Sequence, residues 1–292
     1  MSAPHWKRFR DFLNPQADRF SILEKLFEET ELDFRIVTIA GNRHFFIMAP
    51  KPEADYMRRR QTILVAHYDR YPESPGANDN SAAVFIMIET AVKLLEEKIG
   101  NWLIILTDKE ELKTGEGILN QGAYSLAAGM RETGLENSRI YNFDACGTGD
   151  TLIISTTAEY LLKNENFGGR EKVRASIKEL RDMALEKARD LHMEKVLLIP
   201  TPFSDDAGFL RAGIAAQTIT MLPSDECTQL VSVLRRIPEF AGTLVYQELR
   251  KTENQRLIPE TWRVFNSPSD SHLRLTPQNF RIVQRFAQSL CK

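Results

Sequence analysis

The segment TILVAHYDRYPESPGANDNS, residues 62–81, carries a histidine and two carboxylates close together in the chain. His67 and Asp69 are two apart, so on an extended backbone their side chains share a face. Asp79 lies further on, in a turn-rich passage holding Pro72, Pro75, Gly76, Asn78 and Asn80. Imidazole nitrogen and carboxylate oxygen are both zinc donors, and a carboxylate behind an imidazole fixes its tautomer. The segment therefore reads as half of a metal site. Taken alone, it reads equally well as a strand end with a hydrogen-bonded histidine and a polar turn.

Two further acidic positions have the same setting. Trp102–Thr107 is a continuous apolar run ending in Asp108-Lys109-Glu110-Glu111, and Ile140–Phe143 ends in Asp144. Singly, a Glu-Glu pair is ordinarily solvated charge, and an Asp after a strand is ordinarily a turn residue. Jointly, His67, Glu110-Glu111 and Asp144 each fall just past the C-terminal end of an apolar strand. Ligands gather outside that edge of a parallel sheet.

The elements that position these residues follow from periodicity. Short apolar runs at Thr62–Ala66, Trp102–Thr107, Ile140–Phe143, Thr151–Ser155, Val196–Ile199 and Ala215–Met221 read as strands. Phe34–Ile39 and His44–Met48 flank Gly41-Asn42, a hairpin signal. Helical spacing marks Phe20–Leu32, Ser81–Glu97 with one buried face, Ile118–Arg131, Glu171–His192, Ala207–Ala212 and a last helix opened by Thr276-Pro277. Residues 51–60 read as a charged surface loop. Residues 223–260 show helical patterning without nameable chemistry. Alternating strands and helices, with strands apolar on both faces, predict an α/β fold. Its form is a three-layer α/β/α sandwich around a mostly parallel, mixed sheet. We expect a single domain over residues 1–292, with 223–260 as a helical insertion.

Composition narrows the function class. Hydrophobic content of 42% and charged content of 27% suit a packed globular chain. A net charge of −2, from 38 basic and 40 acidic residues, gives no footprint for nucleic acid or an anionic membrane. The N-terminal residues lack the apolar stretch of a secretory signal, and no run is long enough to span a membrane. Cys146, Cys227 and Cys291 are widely spaced and form no CxxC pattern. These features predict a cytoplasmic protein.

In order, HYD (67–69), SPGANDNSA (74–82), EE before a Gly-bearing loop (110–117) and NFD (142–144) resemble the co-catalytic zinc exopeptidases of the bacterial aminopeptidase type. That family also includes glutaminyl cyclases. FSDDAGFLRAGIAA (203–216) and NSPSDSHLRLTPQNF (266–280) extend the likeness towards the C-terminus. The resemblance implies zinc held by His67, Asp79 and Asp144, with Asp79 bridging to a second ion on Glu111. It implies Asp69 as the acceptor behind His67 and Glu110 as the general base. Asn266 stands where the family has its last metal-ligating histidine, and His272 lies further along the same passage. Asp206 stands where many relatives carry histidine.

The implied activity is a metallo-aminopeptidase, hydrolysing N-terminal residues of peptides with a metal-activated water. The alternatives are a glutaminyl-cyclase-like acyl transferase with one zinc, and a catalytically impaired relative acting as a binding module.

Overall fold

The structure, a computed structural model, describes residues 4–30, 32–50, 60–164, 170–246 and 253–292. The loop expected over 51–60 therefore falls, but for Arg60, outside the described residues.

Eight strands form one mixed sheet: β1 (Phe34–Ile39), β2 (Asn42–Met48), β3 (Thr62–His67), β4 (Trp102–Thr107), β5 (Arg139–Phe143), β6 (Thr151–Ser155), β7 (Val196–Ile199) and β8 (Ala216–Leu222). Their order across the sheet is β1-β2-β4-β3-β5-β8-β6-β7. The central run β4-β3-β5-β8 is parallel, as is β6-β7. The β1-β2 hairpin, the β2-β4 pair and the β8-β6 pair are antiparallel.

The helices are α1 (Phe9–Phe12), α2 (Arg19–Thr30), α3 (Ala82–Glu96), α4 (Gly122–Glu132), α5 (Thr157–Asn164), α6 (Arg170–Asp190), α7 (Asp205–Arg211), α8 (Ser224–Arg236), α9 (Phe240–Val245), α10 (Glu260–Arg263) and α11 (Phe280–Leu290). They cover both faces of the sheet. In β3 and β4, Leu64, Ala66, Ile104 and Leu106 join a core shared with α1, α2, α3, α6 and α11. Their sequence neighbours Ile63, Val65, Leu103 and Ile105 join the opposite core, under α4 and α7. A two-residue period with both faces buried accounts for the unbroken apolar runs. A third cluster, under Ile153 and Ile199, is completed by α8, α9 and Trp262 of α10.

Several elements depart from the sequence reading. α3 buries every residue from Ala82 to Ile88, where one buried face was expected. The reason is a layer supplied by the N-terminus: Trp6, Phe9 and Phe12 set their rings 5.4, 5.0 and 5.4 Å from Phe85. These residues form a 3-10 turn, Pro4–Arg8, and α1. The expected helix over 118–131 is broken at Gln121, whose extended backbone separates a 3-10 turn, Ile118–Asn120, from α4. The last helix begins with a 3-10 turn, Pro277–Asn279, before α11. Residues 223–260 include α8 and α9, in line with their helical patterning.

Candidate metal centre

Three adjacent parallel strands, β4, β3 and β5, end at one edge. The register pairs His67 with Thr107 and Val65 with Asn142. His67, the last residue of β3, is fully buried. Its Nε2 lies 3.2 Å from Oδ1 of Asp79 and 3.6 Å from Oδ1 of Asp144. One donor atom from each of these three residues lies within 4.8 Å of the others. Tetrahedral zinc ligands at about 2.0–2.1 Å stand about 3.3 Å apart, so the spacing fits a shared cation.

The unsatisfied polar atoms point the same way. Neither ring nitrogen of His67 has an aligned hydrogen-bond partner, nor does Asp144 Oδ1 or Glu111 Oε1. Orphaned buried acceptors of this kind are costly unless an ion takes them up.

Asp69 organises the next pair. Its Oδ1 accepts the backbone N–H of Glu110 at 3.1 Å, and its Oδ2 accepts that of Glu111 at 3.0 Å. The same Oδ1 stands 3.3 Å from His67 Nδ1. One carboxylate thus holds the Glu110-Glu111 backbone and faces the imidazole. Burial works against its charge, but His67 and the two N–H donors prevail and hold its pKa below the usual value. Lys109, just before this pair, has φ +60°, and Ala145, just after Asp144, has φ +51°. These left-handed residues turn the chain sharply at the sheet edge, where strained backbone gathers at functional sites.

The electrostatics call for a cation. Burial pushes the pKa values of Glu110 and Glu111 well above the normal range. Repulsion from Glu111, Asp144 and Asp205 adds to this for Glu110, and repulsion from Asp79 and Asp69 for Glu111. Burial and the nearby Asp144 and Asp69 also raise Asp79, against the pull of His67. His67 is itself held well above its ordinary value: burial disfavours its charge, but Asp144, Asp69 and Asp79 outweigh it. A divalent ion in the cluster would invert this pattern and let the carboxylates ionise together.

The residues read from sequence are thus brought together, with one difference in kind. Asn266, at φ +58°, lies beside Glu111 and is among the groups that favour its charged form. His272 is exposed and opens a 3-10 turn, His272–Arg274.

Four residues that the sequence did not single out also belong to the site. Gln121, fully buried at the break before α4, donates from Nε2 to Glu110 Oε1 at 3.2 Å. Asp205, at the start of α7, accepts the Thr107 hydroxyl at 2.5 Å and is pushed up to about 7 by burial. Asp270 receives the backbone N–H groups of Asn78 and Asp79 at 2.9 and 3.0 Å. Arg19, the first residue of α2, is buried beneath the same turn. Asp205 and Asp270 alone carried a signal, since they lie inside the FSDDAGFLRAGIAA and NSPSDS segments.

Comparison with known proteins gives the family and the fold. Solved structures of similar fold include BSAP, a zinc aminopeptidase from Bacillus subtilis, at 19% identity and a TM-score of 0.54. The match covers 85% of this chain and 49% of that one, so the chain spans about half the length of that relative. A glutaminyl cyclase from an Acidobacteriales bacterium matches at 14% identity and a TM-score of 0.62, covering 98% and 92% of the two chains. The LapA aminopeptidase of Legionella pneumophila matches at 13% identity and 0.63, covering 98% and 70%. No match is found among curated protein sequences. Among the described residues no helix is long and apolar enough to cross a membrane. A family model for peptidase family M28 matches residues 47–255, which take in His67, Asp79, Glu110, Glu111 and Asp144. That match extends over most of the sequence, and the chain belongs to peptidase family M28.

Proposed function

We propose that the chain is a zinc-dependent aminopeptidase, acting on the N-terminal residue of a peptide. The observation that carries this reading is the convergence of His67, Asp79 and Asp144 beside a hydrogen-bonded Glu110. In this reading His67, Asp79 and Asp144 would hold the metal, and Asp79 and Glu111 would offer carboxylate oxygens to a second ion. Zinc in such a site polarises a carbonyl and lowers the pKa of water to about 7.

The chain's own groups do the rest. Glu110 accepts the proton of the attacking water and returns it to the leaving amine. Gln121 holds one Glu110 oxygen by its amide N–H, which leaves the other oxygen for the proton. Asp69 keeps the His67 proton on Nδ1, so that Nε2 presents its lone pair to the metal. Burial of these groups excludes bulk water and strengthens each electrostatic contact.

Asn266 makes the second position weaker for zinc than an imidazole would, because an amide oxygen is a harder donor. One well-formed metal position also supports a second reading, in which a peptide's N-terminal amine attacks its own glutamine side chain. Hydrolysis of aminoacyl p-nitroanilides, set against cyclisation of N-terminal glutamine peptides, separates the two. Chelator-sensitive release of p-nitroaniline is expected. Full zinc occupancy with neither reaction on a broad peptide pool would make the chain a binding module instead. We place the protein in the cytoplasm, a reading supported by three cysteines unpaired with one another. We treat residues 1–292 as one catalytic domain with 223–260 as its helical insertion.

A further inference from the structure

Arg19 lies on α2, outside the segment matched by the family model, yet it reaches the metal centre from beneath. Its side chain makes six hydrogen bonds while only 5% exposed. Nη1 donates to the carbonyls of Tyr68 and Asp69 at 3.0 and 2.9 Å. Nη2 donates to the carbonyls of Pro75 and Gly76 at 2.8 and 3.3 Å and to the Ser81 hydroxyl at 2.7 Å. Nε donates to the Phe12 carbonyl at 3.3 Å, and the guanidinium lies 4.4 Å over the Phe12 ring.

One face of the guanidinium fork therefore grips the strand end that carries His67 and Asp69. The other grips the turn that carries Asp79. Gly76 leaves the room for this: at φ +56°, a Cβ there would stand 2.9 Å from Arg19 Nη2 and 2.7 Å from the Asp79 carbonyl. From the opposite side Asp270 receives the N–H groups of Asn78 and Asp79, so the turn is held between a buried cation and a buried carboxyl. His67 and Asp79 come from separate segments, and their 3.2 Å approach needs both segments fixed to a common part.

We propose that Arg19 is a positioning residue for the metal centre, setting the spacing of His67 and Asp79 by bridging the two segments that carry them. The proposal rests on the metal site described above. A planar fork with five donors makes this bridge; a lysine ammonium keeps the charge but cannot span both segments. Arg70 provides the control. It donates to the carbonyls of Phe12, Pro15 and Ala17, so its guanidinium tethers the same N-terminal segment without a hydrogen bond to the turn.

The test is zinc affinity by competition with a chromophoric chelator, with cobalt(II) ligand-field spectra, on wild type, Arg19→Lys and Arg70→Met. Arg19→Lys is expected to lose about 10–100-fold in zinc affinity, the usual effect of removing a partner of the ligands. Its cobalt bands should shift, while Arg70→Met keeps both affinity and bands. Equal affinity in wild type and folded Arg19→Lys overturns the proposal, as does an equal loss in both variants. Should Arg19→Lys fail to fold, Ser81→Ala carries the test, with a loss of about threefold or more expected and an unchanged affinity refuting the bridge. Wild type that binds no zinc would instead overturn the metal site itself.

Discussion

Replacing Asp69 by Asn tests the link between the metal-holding histidine and the Glu110-Glu111 pair. The carboxylate has three tasks: accepting the N–H of Glu110, accepting the N–H of Glu111, and facing His67 Nδ1. An amide has one oxygen. If that oxygen stays towards Glu110 and His67, the NH2 group sits against the Glu111 N–H, donor to donor. If the amide is turned, the NH2 group faces His67 Nδ1, which then accepts, and the imidazole proton moves to Nε2 where the metal must bind. Either way one charge-assisted hydrogen bond is lost, costing about 1.5–3 kcal/mol. In metal affinity the expected loss is about 10–100-fold, or about 1.4–2.7 kcal/mol. Competition with a chromophoric chelator near neutral pH measures it, and circular dichroism checks the fold. A folded Asp69→Asn protein that binds zinc as tightly as wild type would refute the role given to this carboxylate.

Other outcomes follow from the same geometry. Glu110→Gln should keep its zinc and lose about 10²–10⁴ in turnover on aminoacyl p-nitroanilides, the range of a removed general base; unchanged turnover would exclude Glu110 from proton transfer. Asn266→His should strengthen the second position, so that metal analysis after dialysis finds more zinc per chain than in wild type; an unchanged ratio would show that Asn266 does not limit that position. Asp206 is buried and pushed up from 3.8 to about 6, chiefly by burial. The folded chain therefore binds this proton more tightly than the unfolded chain, and stability falls as pH rises from about 4 through about 6. At about 1.4 kcal/mol per pH unit the loss reaches at most ~3 kcal/mol above that window. Asp206→Asn should gain stability relative to wild type at pH 8 and little at pH 4 in urea unfolding of the metal-free protein; an equal difference at both values would contradict the assignment.

Part of this site can be read along the chain and part cannot. His67, Glu110-Glu111 and Asp144 are legible because each follows an apolar run, and a parallel sheet aligns the ends of such runs. The sandwich is legible for the same reason, since strands buried on both faces leave unbroken apolar segments. Arg19 and Gln121 are not legible. Arg19 reads as an ordinary surface charge at a helix start, and its partners lie about fifty residues away, so no local period marks it. Gln121 sits where helical spacing looks continuous; the break appears once Glu110 takes its amide. The all-round burial of α3 depends on Trp6, Phe9 and Phe12, whose N-terminal turns are too short to give a periodic signal.

The central claim is that His67, Asp79 and Asp144 hold a zinc ion at the edge of the sheet. Anomalous scattering at the zinc edge, on crystals of the protein purified without chelator, tests it most directly. The account predicts a peak within bonding distance of His67 Nε2 and of both aspartates, which vanishes in His67→Ala crystals. A wild-type map with no peak among these three residues, from crystals grown with zinc present, would contradict it.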